Sequence, residues 1–384
     1  MIYLDPDLLP TSSFACGPAQ GHPVLRQTPL AQTLFERSHR APDLVRGLYQ
    51  QAIIHGKELL AIPEEYTVFF FPGGATPAME AVLWNLAKES LSGLAFGAFS
   101  NRWADTLANR LPGLENRVRF APKGAYFPTQ KPDYTASLVI LTPNETSSGV
   151  QIPDEYLKDA WQSRSKHTLI AWDVTSCAGG RKLPNAQYDV LLCGLQKCFA
   201  AGGGTCLMAL SPRAIKRIEE IKKFRSIPYA LDLEPALQKA RLFQTTNTPN
   251  TTAIWLFNEA CKWMLSNGKI DAMDHLCRQH AHYLFQWAKK TDYIKPFVPE
   301  DRFRSYTTPT FQLTDSRIPE EAINGALAAT GKPNLQDGIK RFATAPENTL
   351  RIACFPFVDI NGIEEYQKLT TAIDEIVRQL RKAS

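Results

Sequence analysis

The chain has 384 residues, 44% of them hydrophobic and 21% charged, with a formal net charge of +5. Those values are ordinary for a soluble globular protein, and the length predicts two domains around sizeable cores. No block of Lys or Arg and no apolar run of transmembrane length is present, so neither nucleic acid nor a membrane is an expected partner.

The amino-terminal stretch MIYLDPDLLP has no basic segment followed by an apolar one, so no signal peptide is read there and a cytoplasmic location is expected. Short apolar runs then alternate with helix-like segments. Strands are predicted over residues 67–71, 137–142, 168–173, 190–193 and 205–210, with helices between them over 76–90 and 155–163. Nearly continuous apolar strands separated by helices indicate an α/β fold with a mostly parallel sheet covered on both faces. Helices are predicted over 253–267 and 270–291, followed by separated strands over 310–314 and 349–355. A last helix is capped by Asp359 or Asn361, with Ile363, Tyr366, Leu369, Ile373, Ile376 and Leu380 as its apolar stripe. This carboxyl-terminal part reads as a smaller α+β domain.

Eight cysteines occur without a C-x-x-C pair, mostly inside apolar runs, and read as reduced core thiols. His275 and Cys277 are close in sequence, but one such pair makes no zinc site, and no metal is expected.

Two residues carry the strongest chemical signal. Asp173 ends the apolar run TLIAWD, and Lys197 follows the run DVLLCGLQ, twenty-four residues later. A lysine in an apolar setting has a depressed pKa, which suits Schiff-base chemistry or a buried ion pair. A carboxylate at one strand exit and a lysine at the next is how a pyridoxal-phosphate (PLP) site is built, the acid pairing with the pyridinium nitrogen. The plainer alternative is a surface lysine after a core strand. Both positions lie at carboxyl ends of strands, where open α/β sheets bind ligands.

Other segments are weaker singly. Gly73 and Gly74 turn the chain from a strand into a helix opened by Ala75 and Thr76, an arrangement that suits a phosphate but is common without one. The dinucleotide glycine fingerprint is missing, which argues against a nicotinamide dehydrogenase. Pro143, Asn144, Glu145 and Thr146 form a polar turn at a strand exit, Ser176 follows Asp173, and Phe99 offers a face for a planar ring.

Taken together these segments resemble the phosphoserine aminotransferase family, in the class V group of fold type I PLP enzymes. The similar pieces are CGPA (residues 16–19), SHR (38–40), PGGAT (72–76), PNETSSG (143–149), DVTS (173–176), GLQK (194–197), NTPNT (247–251) and LRIACF (350–355). The resemblance implies a large PLP-binding domain with a mostly parallel seven-stranded sheet over residues 16–255. A small domain would combine 1–15 with 256–384.

It also implies roles. Lys197 would be the Schiff-base lysine and proton shuttle, and Asp173 would keep the pyridinium protonated. Phe99 takes the place of the stacking aromatic, and Thr146 would bond the ring's 3′ oxygen. Ala75, Thr76, Ser176 and Gln196 fall at the cofactor phosphate. Asn247 and Thr248 match residues that reach it from the partner of a homodimer. Arg351 matches the arginine that grips the α-carboxylate, and His39 and Arg40 the pair that binds the substrate's phosphate. The expected reaction is ping-pong amino transfer from glutamate to 3-phosphohydroxypyruvate, giving phosphoserine and 2-oxoglutarate. It extends in the family to the 4-phosphohydroxythreonine step of pyridoxine synthesis.

Two departures stand out. Thr76 occupies a position where many members carry arginine. The stretch GIKRFATAPENTLR lacks the family's Gly-His-Arg, leaving Lys340 and Arg341 as candidate cations. The alternatives are a serine- or alanine-glyoxylate aminotransferase, whose substrate lacks a phosphate, and a non-catalytic binding protein of the same fold.

Overall fold

The computed structural model describes residues 2–16, 20, 38–336, 338–342 and 347–383. Gly17, Pro18 and Ala19 of the CGPA segment lie outside the described residues.

One large sheet organises the first two-thirds of the chain. Its main strands are β1 (Thr67–Pro72), β2 (Ser90–Ala95), β3 (Leu138–Leu141), β4 (Leu169–Asp173), β5 (Val190–Gly194) and β6 (Thr205–Leu210). They lie in the order β1-β6-β5-β4-β3-β2, and two short pieces, Glu115–Asn116 and Arg119–Phe120, both pair with β2 at the far edge. These make eight strands among the described residues, one more than the seven expected, because the far edge is divided into two short pieces. Only β6 runs against its neighbours; every other pairing is parallel.

The strand composition explains the layering. Side chains alternate across a strand, so a strand with both faces covered must be apolar throughout. In β1, Phe69 and Phe71 face a layer containing Met79, Val82 and Ile218. Val68 and Phe70 face the other layer, with Leu157, Ile254 and Phe257. The helix after β1, here α1 (Ala75–Leu86), covers the first face. Helix Asp154–Ser163 and helix Thr251–Ser266 cover the second.

A second sheet, Ile294–Pro296, Thr310–Leu313 and Thr349–Arg351, is antiparallel and packs with helix Lys269–Lys290 and helix Glu364–Ala383. Asp359 caps the last helix region as expected: its Oδ1 accepts from Asn361 N at 3.1 Å and Gly362 N at 3.0 Å, its Oδ2 from Glu365 N at 3.0 Å. Leu9 and Phe14 belong to this second core, and Phe14 lies edge-on to Tyr366 at 5.2 Å.

Two boundaries and one strand differ from the sequence reading. The helix expected over 76–90 stops at Leu86, because Ser90 already begins β2. The strand SLSGLA carries neither β-branched nor aromatic residues, so nothing local announces it. The strand expected over 349–355 ends at Arg351, after which the chain continues as loop. Among the described residues no helix is long and apolar enough to cross a membrane.

Candidate active site

The carboxyl ends of β3, β4 and β5 and the turn after β1 surround a cavity of about 360 Å³. Asp173 and Lys197 both line it. The pair read from sequence therefore shares one site.

Asp173 is the last residue of β4 and is 4% exposed. Burial pushes its carboxyl up to about 6, although Thr175 donates to it from the backbone N at 3.0 Å and from Oγ1 at 2.5 Å. The same Thr175 hydroxyl accepts from Gly194 N at 3.0 Å, which ties the exit of β4 to the exit of β5. Lys197 sits in the loop between β5 and β6 and is 6% exposed. Burial lowers its ammonium to about 8, and Arg351 adds to that while Cys16 and Asp173 oppose it. Its Nζ donates to the backbone carbonyl of Cys16 and stands 5.6 Å from the centroid of the Phe99 ring.

Gly73 and Gly74 both adopt left-handed backbone, at φ of 88° and 79°. An L side chain is strained there, and a Cβ on Gly73 would meet Pro77 Cγ at 2.8 Å. The turn delivers Ala75 and Thr76 as the first residues of α1, whose free N–H groups are an anion cradle. Ala75 and Thr76 line the cavity, with Gly203 and Gly204 from the loop before β6.

Phe99, Thr146, Ser176 and Gln196 line it as well. The Ser176 hydroxyl is engaged with Asn144, donating to its carbonyl at 2.8 Å and accepting from its Nδ2 at 2.8 Å. Asn144 Oδ1 is buried without a hydrogen-bond partner among the described residues. Such an orphan acceptor inside a cavity marks a place where a donor group is wanted.

Arg351 ends its strand beside this cavity. Its Nη1 donates to the Thr146 carbonyl at 3.4 Å, and its Nε is buried without a partner among the described residues. The guanidinium lies 5.7 Å from the ring centroid of Phe342, which in turn packs on Phe99 at 5.2 Å. The stretch considered for substrate cations thus brings an aromatic ring to the site. Arg341 turns to Glu320 instead, with Nε 3.1 Å from Oε1.

Besides Arg351, which stands beside it, four expected residues do not line the cavity within this chain. His39 and Arg40 lie in a turn before the helix that starts at Pro42, with Arg40 exposed. Asn247 and Thr248 line a separate cavity of about 200 Å³ with Phe70 and Phe71, and Gly204 belongs to both cavities.

Sequence reasoning missed several contributors. Glu145 is wholly buried and holds the start of the short helix α2 (Ala98–Asn101). It accepts from Phe99 N at 3.4 Å, Ser100 N at 2.8 Å, Ser100 Oγ at 2.8 Å, Ser147 N at 3.0 Å and Ser147 Oγ at 2.7 Å. Arg102, just past that helix, lines the cavity and donates to Thr76 Oγ1 at 3.2 Å. The acidic residue after Asn144 was a visible signal for the first; nothing local pointed to the second.

A buried carboxyl, a lysine of lowered pKa, an aromatic face and a helix amino terminus in one cavity suit a flat cationic ring bearing a phosphate. The sequence model of the class-V aminotransferases matches residues 37–331. The chain belongs to the class-V aminotransferase family. This class-V aminotransferase is 31% identical to the phosphoserine aminotransferase of Rhodococcus opacus over 378 residues, covering 97% of each chain. It is 32% identical to that of Corynebacterium glutamicum over 370 residues, covering 95% of this chain and 94% of the relative. The crystal structure of a phosphoserine aminotransferase from Cytophaga hutchinsonii superposes with a TM-score of 0.83 at 25% identity, covering 95% of this chain and 98% of that one. A PLP-bound phosphoserine aminotransferase from Trichomonas vaginalis, 19% identical, shares the fold with a TM-score of 0.76 over 95% of this chain and 99% of its own. The class-V aminotransferase described here is therefore a transaminase of the PLP-dependent kind, on a fold type I scaffold.

Proposed function

We propose that the chain is a phosphoserine aminotransferase, moving the amino group of glutamate onto 3-phosphohydroxypyruvate in a homodimeric, cytoplasmic enzyme. The observation that carries this reading is the meeting of Lys197, Asp173 and the Gly73–Thr76 turn in one cavity, in a chain similar over its full length to enzymes of that name.

PLP, when bound, supplies an electron sink that stabilises negative charge developing at an amino acid's Cα. Lys197 would hold its aldehyde carbon, Asp173 its ring nitrogen, Phe99 its face and Thr146 its 3′ oxygen. Ala75, Thr76, Ser176 and Gln196 would hold its phosphate. An ionised Asp173 favours a protonated ring nitrogen, and the burial that raises its own pKa also strengthens that pairing. Lys197, when neutral, takes the proton from the substrate Cα, and a pKa of about 8 leaves an appreciable neutral fraction near neutral pH. Arg351 would clamp the α-carboxylate; its Nε, without a partner among the described residues, is a donor held ready for an acceptor.

Asn247 and Thr248 would act across a dimer interface, and His39 and Arg40 would bind the substrate's phosphate. That Asn247 and Thr248 do not line the cavity of their own chain supports the first assignment. The reading includes a large domain over residues 16–255 and a small one combining 1–15 with 256–384, supported by Leu9 and Phe14 packing in the carboxyl-terminal core.

The test is the visible spectrum of the purified protein before and after L-phosphoserine. Conversion of a cofactor band by phosphoserine but not by serine supports the proposal. A band that responds only to unphosphorylated amino acids moves the function to a glyoxylate-type aminotransferase, and no band after adding PLP removes the catalytic reading.

A further inference from the structure

The turn from Gly73 to Thr76 carries no charged side chain. A phosphate monoester bears about 1.5 to 2 negative charges near neutral pH, whereas one helix amino terminus offsets only about half a charge. Lys197 is committed elsewhere, to the Cys16 carbonyl. Among the described residues the cavity has one further cationic side chain in its lining, Arg102.

Arg102 is placed by two contacts. Its Nη1 donates to Thr76 Oγ1 at 3.2 Å, and its guanidinium carbon lies 5.5 Å from the centroid of Phe99. Glu145 fixes the start of the short helix that carries Phe99 and leads directly into Arg102. The Thr76 hydroxyl is the one side-chain hydrogen-bond partner of Arg102 among the described residues. A guanidinium has five N–H donors, so most of its capacity is free. A hydroxyl that accepts from arginine also keeps its own proton to donate, so Thr76 and Arg102 present donors side by side.

We propose that Arg102 is the cation of the cofactor-phosphate subsite, gripping the phosphate oxygens together with Thr76 and the amides that open α1. A planar fork suits a phosphate better than a point charge does. The proposal rests on the PLP reading above and assigns a residue that the sequence did not suggest.

The full chain, stripped of cofactor, is titrated with PLP and with pyridoxal, which has the same ring and no phosphate, with fluorescence quenching as the readout. In parallel, the shift of the thermal midpoint with inorganic phosphate is measured. Arg102→Gln is expected to weaken PLP binding by roughly 10- to 100-fold, the span of a lost charge-assisted hydrogen bond. Pyridoxal binding should stay within about twofold, and the phosphate-dependent thermal shift should vanish. Arg102→Lys should recover part of the loss. Equal weakening of PLP and pyridoxal overturns the proposal, because Arg102 then merely supports Phe99. Unchanged PLP binding in Arg102→Gln overturns it too. A wild-type chain that binds neither compound removes the cofactor reading itself, a failure visible before any variant is made.

Discussion

Glu145 caps the helix that carries Phe99: its Oε2 accepts from Ser100 N at 2.8 Å and its Oε1 from Phe99 N at 3.4 Å. The acid of the Asn144-Glu145-Thr146 turn thus sets the ring that faces the cavity. Closeness of fit is strict, since a Cβ on Gly97 would meet Glu145 Cγ at 2.4 Å.

Gly97→Ala should therefore displace Glu145 and loosen Phe99. The expected cost is about 1–3 kcal/mol, as for other overpacked cores, together with weaker binding of PLP. Urea denaturation of the cofactor-free chain and a PLP titration check both; an alanine variant as stable and as avid as wild type would contradict the cap's role.

Lys197→Ala should fold, because the methylene stem it removes is small against the core around it, yet it should lose the visible absorbance of a covalently held cofactor and turnover with it. Circular dichroism and an absorbance scan on one sample separate the two effects. Normal turnover in this variant would falsify the assignment of the lysine.

The two buried groups predict opposite pH dependences for the cofactor-free chain. The carboxyl of Asp173 lies at about 6 in the fold against an ordinary 3.8, so the folded state holds a proton that the unfolded state has released between those values. Stability contributed by Asp173 then falls as pH rises through that window. The ammonium of Lys197 lies at about 8 against 10.5, so the unfolded state holds the extra proton and stability rises from about pH 8 towards 10.5. Asp173→Asn should stabilise the cofactor-free chain at pH 7 by up to about 3 kcal/mol while weakening the cofactor-loaded enzyme. Denaturant midpoints across pH, with and without PLP, measure both signs.

Arg351→Lys keeps the charge and loses the fork. Its kcat/KM for amino donors should fall by roughly 10- to 100-fold, with the cofactor band intact. Steady-state kinetics with glutamate and phosphoserine would show it, and an unchanged value for both would move the carboxylate site elsewhere.

Much of the site was legible because the strands that end in it announce themselves. The runs 169–172 and 190–193 are apolar throughout, so the first charged residues after them, Asp173 and Lys197, stood out. Strand β2 was hidden, since Ser, Gly and Ala form it only through burial against neighbours. Arg102 was hidden for a different reason. Its importance depends on Thr76, which α1 brings beside it from another part of the chain, and no local pattern records such a meeting. Phe342 and Arg341 show the same limit: which of two adjacent side chains enters a site is decided by partners such as Glu320 and Phe99.

The sheet order has a consequence for biosynthesis. The turn at Gly73 follows β1, and β1 is held at the sheet edge only by β6, with Thr67 opposite Leu210 and Pro72 opposite Thr205. A chain emerging from the ribosome makes the turn early but lacks the strand that pairs with β1 until Leu210 has appeared. Arg351 arrives far later still. Pairing between segments so distant along the chain is slow and closes late. The described lining of the cofactor cavity is thus completed once the loop before β6 has docked, whereas the residue assigned to the substrate's carboxylate is added only near the end of translation.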